Sequence, residues 1–185
     1  MGRIVVSQFV TVDGVIEDPG GSEGFERGGW AFQFDRGEDG NQFKLDEVME
    51  SSALLLGRKT YEGFAAAWPS REGDFADKFN TMPKYVVSST LRDPEWSNST
   101  VIGTGDLAKL KEEHDGVILV NGSRHVVDEL VAQGLVDEFR LMVFPIVLGK
   151  GLQAFGDAGA TSALDLVESR PVGEEGVLVL VYRPK

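Results

Sequence analysis

A chain of 185 residues is long enough to bury the core of one domain, and its 42% hydrophobic and 26% charged residues are those of a globular protein. A formal net charge of −12 argues against nucleic acid or an anionic membrane as the main partner. The absence of cysteine excludes disulfides and thiolate metal sites and fits a reducing cytoplasm, while no apolar run approaches the ~20 residues of a membrane span and no signal-peptide layout opens the chain.

Arg3 to Val12 reads as a strand, its Ile4, Val5, Val6, Phe9 and Val10 being β-branched or aromatic. Asp13-Gly14 signals a turn, which is one sufficient reason for that aspartate. The alternative places Asp13 beside a reacting ring walled by Val12, Val15 and Ile16. Glu17 to Gly40 holds seven glycines among Trp30, Phe32 and Phe34, a long aromatic-bearing loop of the kind that forms lids. Trp30 is then either a core-covering ring or a substrate-facing one. Asn41 to Glu50 has helical spacing, and the interval from Phe43 to Leu45 and Val48 fits a buried helix face, with a substrate wall as the other reading of Phe43.

Ala53 to Leu56 is the second strand, and the helix that begins near Lys59 carries Tyr61, Phe64, Ala65 and Trp68 until Pro69 stops it. A short helix with Phe75 and Phe79, the strand Lys84 to Ser88 and the brief strand Thr100 to Ile102 follow. Leu107 to Glu113 is amphipathic, Val117 to Val120 is a buried strand, and Val126, Val127, Leu130 and Val131 mark the apolar face of the next helix. The final third reads as three strands around Phe139–Phe144, Leu164–Val167 and Val177–Tyr182 with no long helix between them. The alternation of strand and helix in the first two-thirds predicts parallel pairing, and the meander at the end predicts antiparallel pairing. The expected architecture is a single α/β domain over residues 1–185 with a central mixed sheet of about eight strands, roughly half more than the usual number.

Four strand ends carry the candidate chemistry: Gly57-Arg58-Lys59-Thr60, Ser88-Ser89, Gly103-Thr104-Gly105 and Asn121-Gly122-Ser123-Arg124. Ligands of parallel sheets sit beyond the carboxyl ends of the strands, where helix N-termini offer unpaired N–H groups to anions. Glycines let backbone approach phosphate closely, and hydroxyls near an arginine suit a ribose 2′-phosphate better than an acid would. Taken together, these ends predict a dinucleotide site. Neither a G-x-G-x-x-G after the first strand nor a P-loop is present. With His114 and His125 as the only histidines, a histidine metal site or a Ser-His-Asp triad is not expected, and no metal is assigned.

In order along the chain, Thr11-Val12-Asp13-Gly14-Val15-Ile16, Leu56-Gly57-Arg58-Lys59-Thr60-Tyr61-Glu62, Val87-Ser88-Ser89, Asn121-Gly122-Ser123-Arg124 and Phe144-Pro145-Ile146-Val147-Leu148-Gly149-Lys150-Gly151 resemble the dihydrofolate-reductase-like superfamily. The branch they look closest to contains the reductase domain of the bacterial bifunctional riboflavin deaminase-reductase. The resemblance implies NADPH, with Arg58 and Ser88-Ser89 on the 2′-phosphate, Lys59-Thr60 and Gly122-Ser123-Arg124 along the pyrophosphate, and Ile16 against the nicotinamide. It implies reduction of a small heterocyclic or imine substrate, such as a phosphoribosylamino-pyrimidine. Asp13 or a bound water would deliver the proton, and Trp30, Phe43, Pro145 and Gly149 would lie around the substrate. Asn121-Gly122 stands where dihydrofolate reductases have a glycine pair with a cis peptide. Asn41 or a neighbour stands where they have the acid of the first helix, so ordinary dihydrofolate reduction is not expected. A non-catalytic NADP(H)-binding module and a true dihydrofolate reductase are the alternatives, and a homodimer through the apolar C-terminal strands is the expected assembly.

Overall fold

The computed structural model describes residues 1–156 and 161–185. Its strands are β1 (Arg3–Thr11), β2 (Ser51–Gly57), β3 (Lys84–Val87), β4 (Ser99–Ile102), β5 (Val117–Asn121), β6 (Glu138–Phe144), β7 (Leu164–Val172) and β8 (Val177–Pro184). The helices are α1 (Gly37–Glu50), α2 (Arg58–Ala67), α3 (Asp74–Thr81), α4 (Leu107–Glu113) and α5 (Arg124–Ala132). The strands form one sheet in the order β4-β3-β2-β5-β1-β6-β8-β7. The first six run parallel, so their carboxyl ends share one edge, and β8 then pairs antiparallel with both β6 and β7. The meander is therefore antiparallel as expected, although β6 itself is parallel to β1.

Strand alternation sends successive residues to opposite faces. Ile4 and Val6 join Leu55, Val120 and Leu130 in a cluster on one side, while Val5 joins Val48, Leu54 and Phe79 on the other. A third cluster gathers Trp30, Phe144, Val177 and Val179 under the chain that follows β1. Val177 and Val179 are buried while Leu178 between them is 40% exposed, so the two faces of β8 are unequally covered.

Two local readings are corrected. Helix α1 starts at Gly37, inside the stretch expected to be loop. Its buried residues are Gly40, Lys44, Glu47 and Val48, with Phe43 and Leu45 only half-buried and Met49 exposed. A lysine and a glutamate occupy the inward stripe that the apolar spacing had assigned elsewhere. A second buried cation, Lys84, opens β3 and donates to the carbonyls of Asn80 (3.1 Å), Met82 (2.9 Å) and Ser97 (2.9 Å), with Nζ 4.3 Å from the centroid of Trp96. Burial pushes its pKa down to about 8.

Candidate active site

The parallel strand ends bring two helix N-termini together. Helices α2 and α5 start directly after β2 and β5, which are neighbours in the sheet, and neither start carries a side-chain cap. Among the described residues the first-turn N–H groups of both therefore have no side-chain cap where they leave the sheet edge, with the positive ends of two helix dipoles beside them. Ser123 holds its backbone in the left-handed region at φ 66°, and Gly122 does so at φ 76°, the turn that aims α5. Gly57 has no room for a side chain: a Cβ there would overlap Ser123 Oγ and stand 2.9 Å from Ser123 Cβ. The Asn121–Gly122 peptide is trans.

Around this junction the structure brings most of the expected cofactor residues together. Arg58 donates from Nη1 to Thr90 Oγ1 (2.6 Å) and from Nε to Glu62 Oε1 (2.7 Å). Ser88 Oγ accepts the amides of Thr90 (3.2 Å) and Leu91 (3.0 Å), so a hydroxyl closes the 88–91 turn and the arginine ends against it. Thr90 belongs to this corner and was not singled out in the sequence, where it reads as one more polar loop residue. Lys59 pairs with Glu23 (3.1 Å), and that hydrogen bond, against some desolvation, holds the lysine pKa above its usual value. Arg124 lies along Asp128 (3.1 Å), whose other oxygen accepts the Gly156 amide at 3.2 Å. Gly103 differs from the rest. Its amide donates to Asp106 Oδ2 (2.8 Å), which places a carboxylate at the end of β4 instead of a free phosphate cradle.

Asp13 is held from three sides. Its carboxylate accepts Thr11 Oγ1 (2.6 Å) and the amides of Leu148 (3.2 Å) and Gly149 (2.7 Å). The Thr11 bond first, and the two amides with it, outweigh desolvation and keep its pKa below the ordinary carboxylate value. An ionised, fully engaged carboxylate is a poor proton source; its visible work is to pin the 145–149 turn against β1. The same strap is fastened by Val12 N to Ile146 O (3.0 Å), Ile16 N to Leu152 O (2.8 Å) and Leu152 N to Glu17 Oε2 (2.9 Å). Arg27 to the Leu148 carbonyl and Lys150 to Glu26 tie the glycine-rich loop to it. Ile16 and Gly149 therefore sit in one rigid assembly, with Pro145 exposed at its start.

Trp30 is corrected to a core residue. It is 0% exposed, packs edge-on against Phe144 at 5.5 Å, and donates its indole N–H to Glu17 O (2.8 Å). The exposed ring of that loop is Phe32, at 78%. Phe43 is half-buried on α1, with Arg170 over its ring at 5.5 Å. His125 is exposed, and His114 pairs with Ser52 Oγ at 2.7 Å.

A buried polar cluster completes the site's surroundings. Ser7, on the α1 face of β1, donates to Glu47 Oε2 (3.0 Å) and accepts from Lys44 Nζ (2.6 Å), while Lys44 also bonds Glu47 directly. A lone hydroxyl in the apolar run of β1 was the only sequence signal for it. Lys44 and Glu47, three residues apart on a helix, read as an ordinary solvated pair.

A parallel sheet edge with two uncapped helix ends, continued by an antiparallel pair of C-terminal strands, defines the dihydrofolate-reductase-like α/β class. The chain belongs within it to the RibD C-terminal domain family, which it matches over residues 3–178. It is 28% identical to the uncharacterized protein YyaP of Bacillus subtilis, over 97% of this chain and 94% of that one. Among solved structures, a protein assigned to riboflavin biosynthesis from Shewanella sp. PV-4 superimposes with a TM-score of 0.78 at 17% identity, over 99% of both chains. Dihydrofolate reductase from Enterococcus faecalis, solved with NADP(H) and RAB-propyl, superimposes with a TM-score of 0.62 at 17% identity, over 99% of this chain and 96% of that one. These two likenesses are of fold.

Proposed function

We propose that the protein is an NADPH-dependent reductase of a small heterocyclic or imine substrate, of the kind represented by 5-amino-6-(5-phosphoribosylamino)uracil. The observation that carries the reading is the convergence of the α2 and α5 N-termini at the Gly57–Ser123 contact, with Arg58 reaching the Ser88–Thr90 turn beside them. Two adjacent helix ends with a close backbone approach suit a pyrophosphate, and an arginine among hydroxyls suits a 2′-phosphate. The residues present thus fit NADPH: the amides after Gly57 and Ser123 with Lys59 and Thr60 on the pyrophosphate, Arg58, Ser88 and Ser89 on the 2′-phosphate, and Ile16 toward the nicotinamide. When bound, the coenzyme supplies hydride. The chain positions the substrate against it and excludes water. The Asp13 strap fixes the wall that carries Ile16.

Fluorescence titration tests this directly. Wild-type protein quenches or shifts NADPH fluorescence and prefers NADPH to NADH. Arg58→Ala removes most of that preference, and Thr90→Val removes a smaller part. Equal affinity for the two coenzymes in wild type and Arg58→Ala counts against the assignment.

We also propose that the assembly is a homodimer. Leu141, Val143, Leu178, Leu180 and Tyr182 share one face of the β6–β8 pair, and Leu166 extends it on β7. Leu178 is 40% and Leu166 55% exposed. Tyr182 packs at one end against the cluster that holds α5, and the apolar remainder, with no carboxylate among those residues, is where a chain of net charge −12 can meet its own copy with least repulsion. Sedimentation of the protein as a monomer at micromolar concentration would remove the proposal.

A further inference from the structure

Helix α1 buries an ion pair where apolar side chains would suffice. Lys44 and Glu47 cover the middle of β1, and a buried pair of this kind must desolvate both ions before its attraction is counted. Hydrophobic replacements are often neutral or stabilising at such positions, so a charge kept there asks for another reason.

The geometry supplies one. Lys44 Nζ has three N–H groups. One goes to Ser7 Oγ and one to Glu47 Oε2, and no third acceptor exists among the described residues. The ammonium stands 5.3 Å from the centroid of Phe9, whose ring also carries the Arg36 guanidinium at 5.2 Å. Glu47 Oε1 is buried with no donor among the described residues, and an unpaired carboxylate oxygen is costly to leave so. The Lys44 side chain is 11% exposed and that of Glu47 only 1%, so the lysine is the member that surfaces. Arg36 and, from β6, Arg140 add their charges toward Glu47.

Its position matters as much. Ser7 lies directly opposite Asn121 in the β1–β5 register, one residue before Gly122 and Ser123 start α5. The cluster is therefore level with the end of β5 and beside the candidate coenzyme site, on the face that α1 shares with β1. We propose that Lys44 is the substrate-facing residue of this site, held by Ser7 and Glu47, and that it takes a carbonyl oxygen of a lactam or dione ring. An ammonium with an N–H to spare favours a carbonyl-bearing ring over a cationic diamino ring. This rests on the reductase reading, but its test does not depend on turnover.

The experiment titrates 5-aminouracil and 2,4-diaminopyrimidine into protein with and without NADPH by calorimetry, while NADPH affinity is read separately by fluorescence. Wild type binds 5-aminouracil more tightly than the diaminopyrimidine. Lys44→Met weakens the dione at least tenfold and leaves NADPH affinity unchanged, and Lys44→Arg regains part of the loss. The double variant Lys44→Met/Glu47→Gln, which leaves no lone buried charge, shows the same loss in a folded protein. The proposal is overturned if the dione binds these variants as it binds wild type, if the diaminopyrimidine is preferred, or if folded wild type binds no dione. Loss of NADPH binding in wild type would instead strike the reductase reading, since dione binding still decides the role of Lys44.

Discussion

Ser123 occupies the space that a side chain on Gly57 would need, so the last residue of β2 and the cap of α5 fit together only because one of them is glycine. The contact joins the two helix ends on which the coenzyme assignment rests. Gly57→Ala should force Ser123, already at positive φ, out of position, at about 1–3 kcal/mol for overpacking a tight site. Urea unfolding measures that cost, and NADPH titration should show binding at least tenfold weaker. Adding Ser123→Gly removes the colliding side chain and should restore both. If Gly57→Ala is silent in both measurements, the helix ends are not held against each other.

Glu23 raises a separate expectation. It sits in the glycine-rich loop and pairs with Lys59, the cation assigned to the pyrophosphate. An incoming phosphate must displace that carboxylate, so the loop and the coenzyme compete for one ammonium. Both partners are largely exposed, and such pairs contribute about 0–1 kcal/mol. Glu23→Gln should therefore tighten NADPH binding by up to about fivefold at low salt, with the gain shrinking as salt rises. Unchanged or weaker binding in Glu23→Gln would mean that Lys59 does not meet the phosphates.

Much of this was legible in the sequence because the strand ends carry local chemistry. Gly57, Ser88 and Gly122 punctuate apolar runs, and parallel alternation places them on one edge without any knowledge of packing. What stayed hidden depends on contacts distant in sequence. Trp30 sits among glycines and reads as a lid, yet Phe144, more than a hundred residues away, provides the pocket that buries it. Asp13 reads as a turn residue or an acid, and only the fold brings the Leu148 and Gly149 amides to it. Lys44 and Glu47 have the spacing of a surface pair, so nothing local distinguishes them from a solvated face until Ser7 is found beneath them.

Acid should expose a second buried network. Glu138 is buried and bonded by Arg140 (2.7 Å) and Arg183 (2.9 Å), with Arg3 at 3.8 Å. Desolvation raises its pKa, but the bonds from Arg140 and Arg183 and the charges of Arg140 and Arg3 outweigh it and leave the value below the ordinary 4.5. Its stabilisation is therefore complete above pH 4.5 and is lost as pH falls through the lower folded value. Glu138→Gln should cost about 1–3 kcal/mol at pH 7, since it removes the buried charged partner of Arg140, which keeps only Glu50, while Arg3 and Arg183 are exposed to water. The difference between wild type and variant in urea midpoint should narrow as pH drops below 4.5; a constant gap would show that the carboxylate charge is not what holds these strands.

Lys84 gives the opposite dependence at alkaline pH. Its folded pKa is about 8 and its ordinary value 10.5, so between these limits the unfolded chain binds more protons than the folded one. Stability then rises with pH across that window, because folding no longer has to bury a charge, and the rise from this one group is at most about 3 kcal/mol. The carbonyls of Asn80, Met82 and Ser97 remain acceptors for the neutral amine, so the loop they anchor keeps its shape. Lys84→Met has no proton to lose there. Urea unfolding at pH 7.5, 9 and 10 should show wild type gaining on Lys84→Met as pH increases, whereas parallel curves would mean that the three carbonyls and the face of Trp96 hold the ammonium charged throughout.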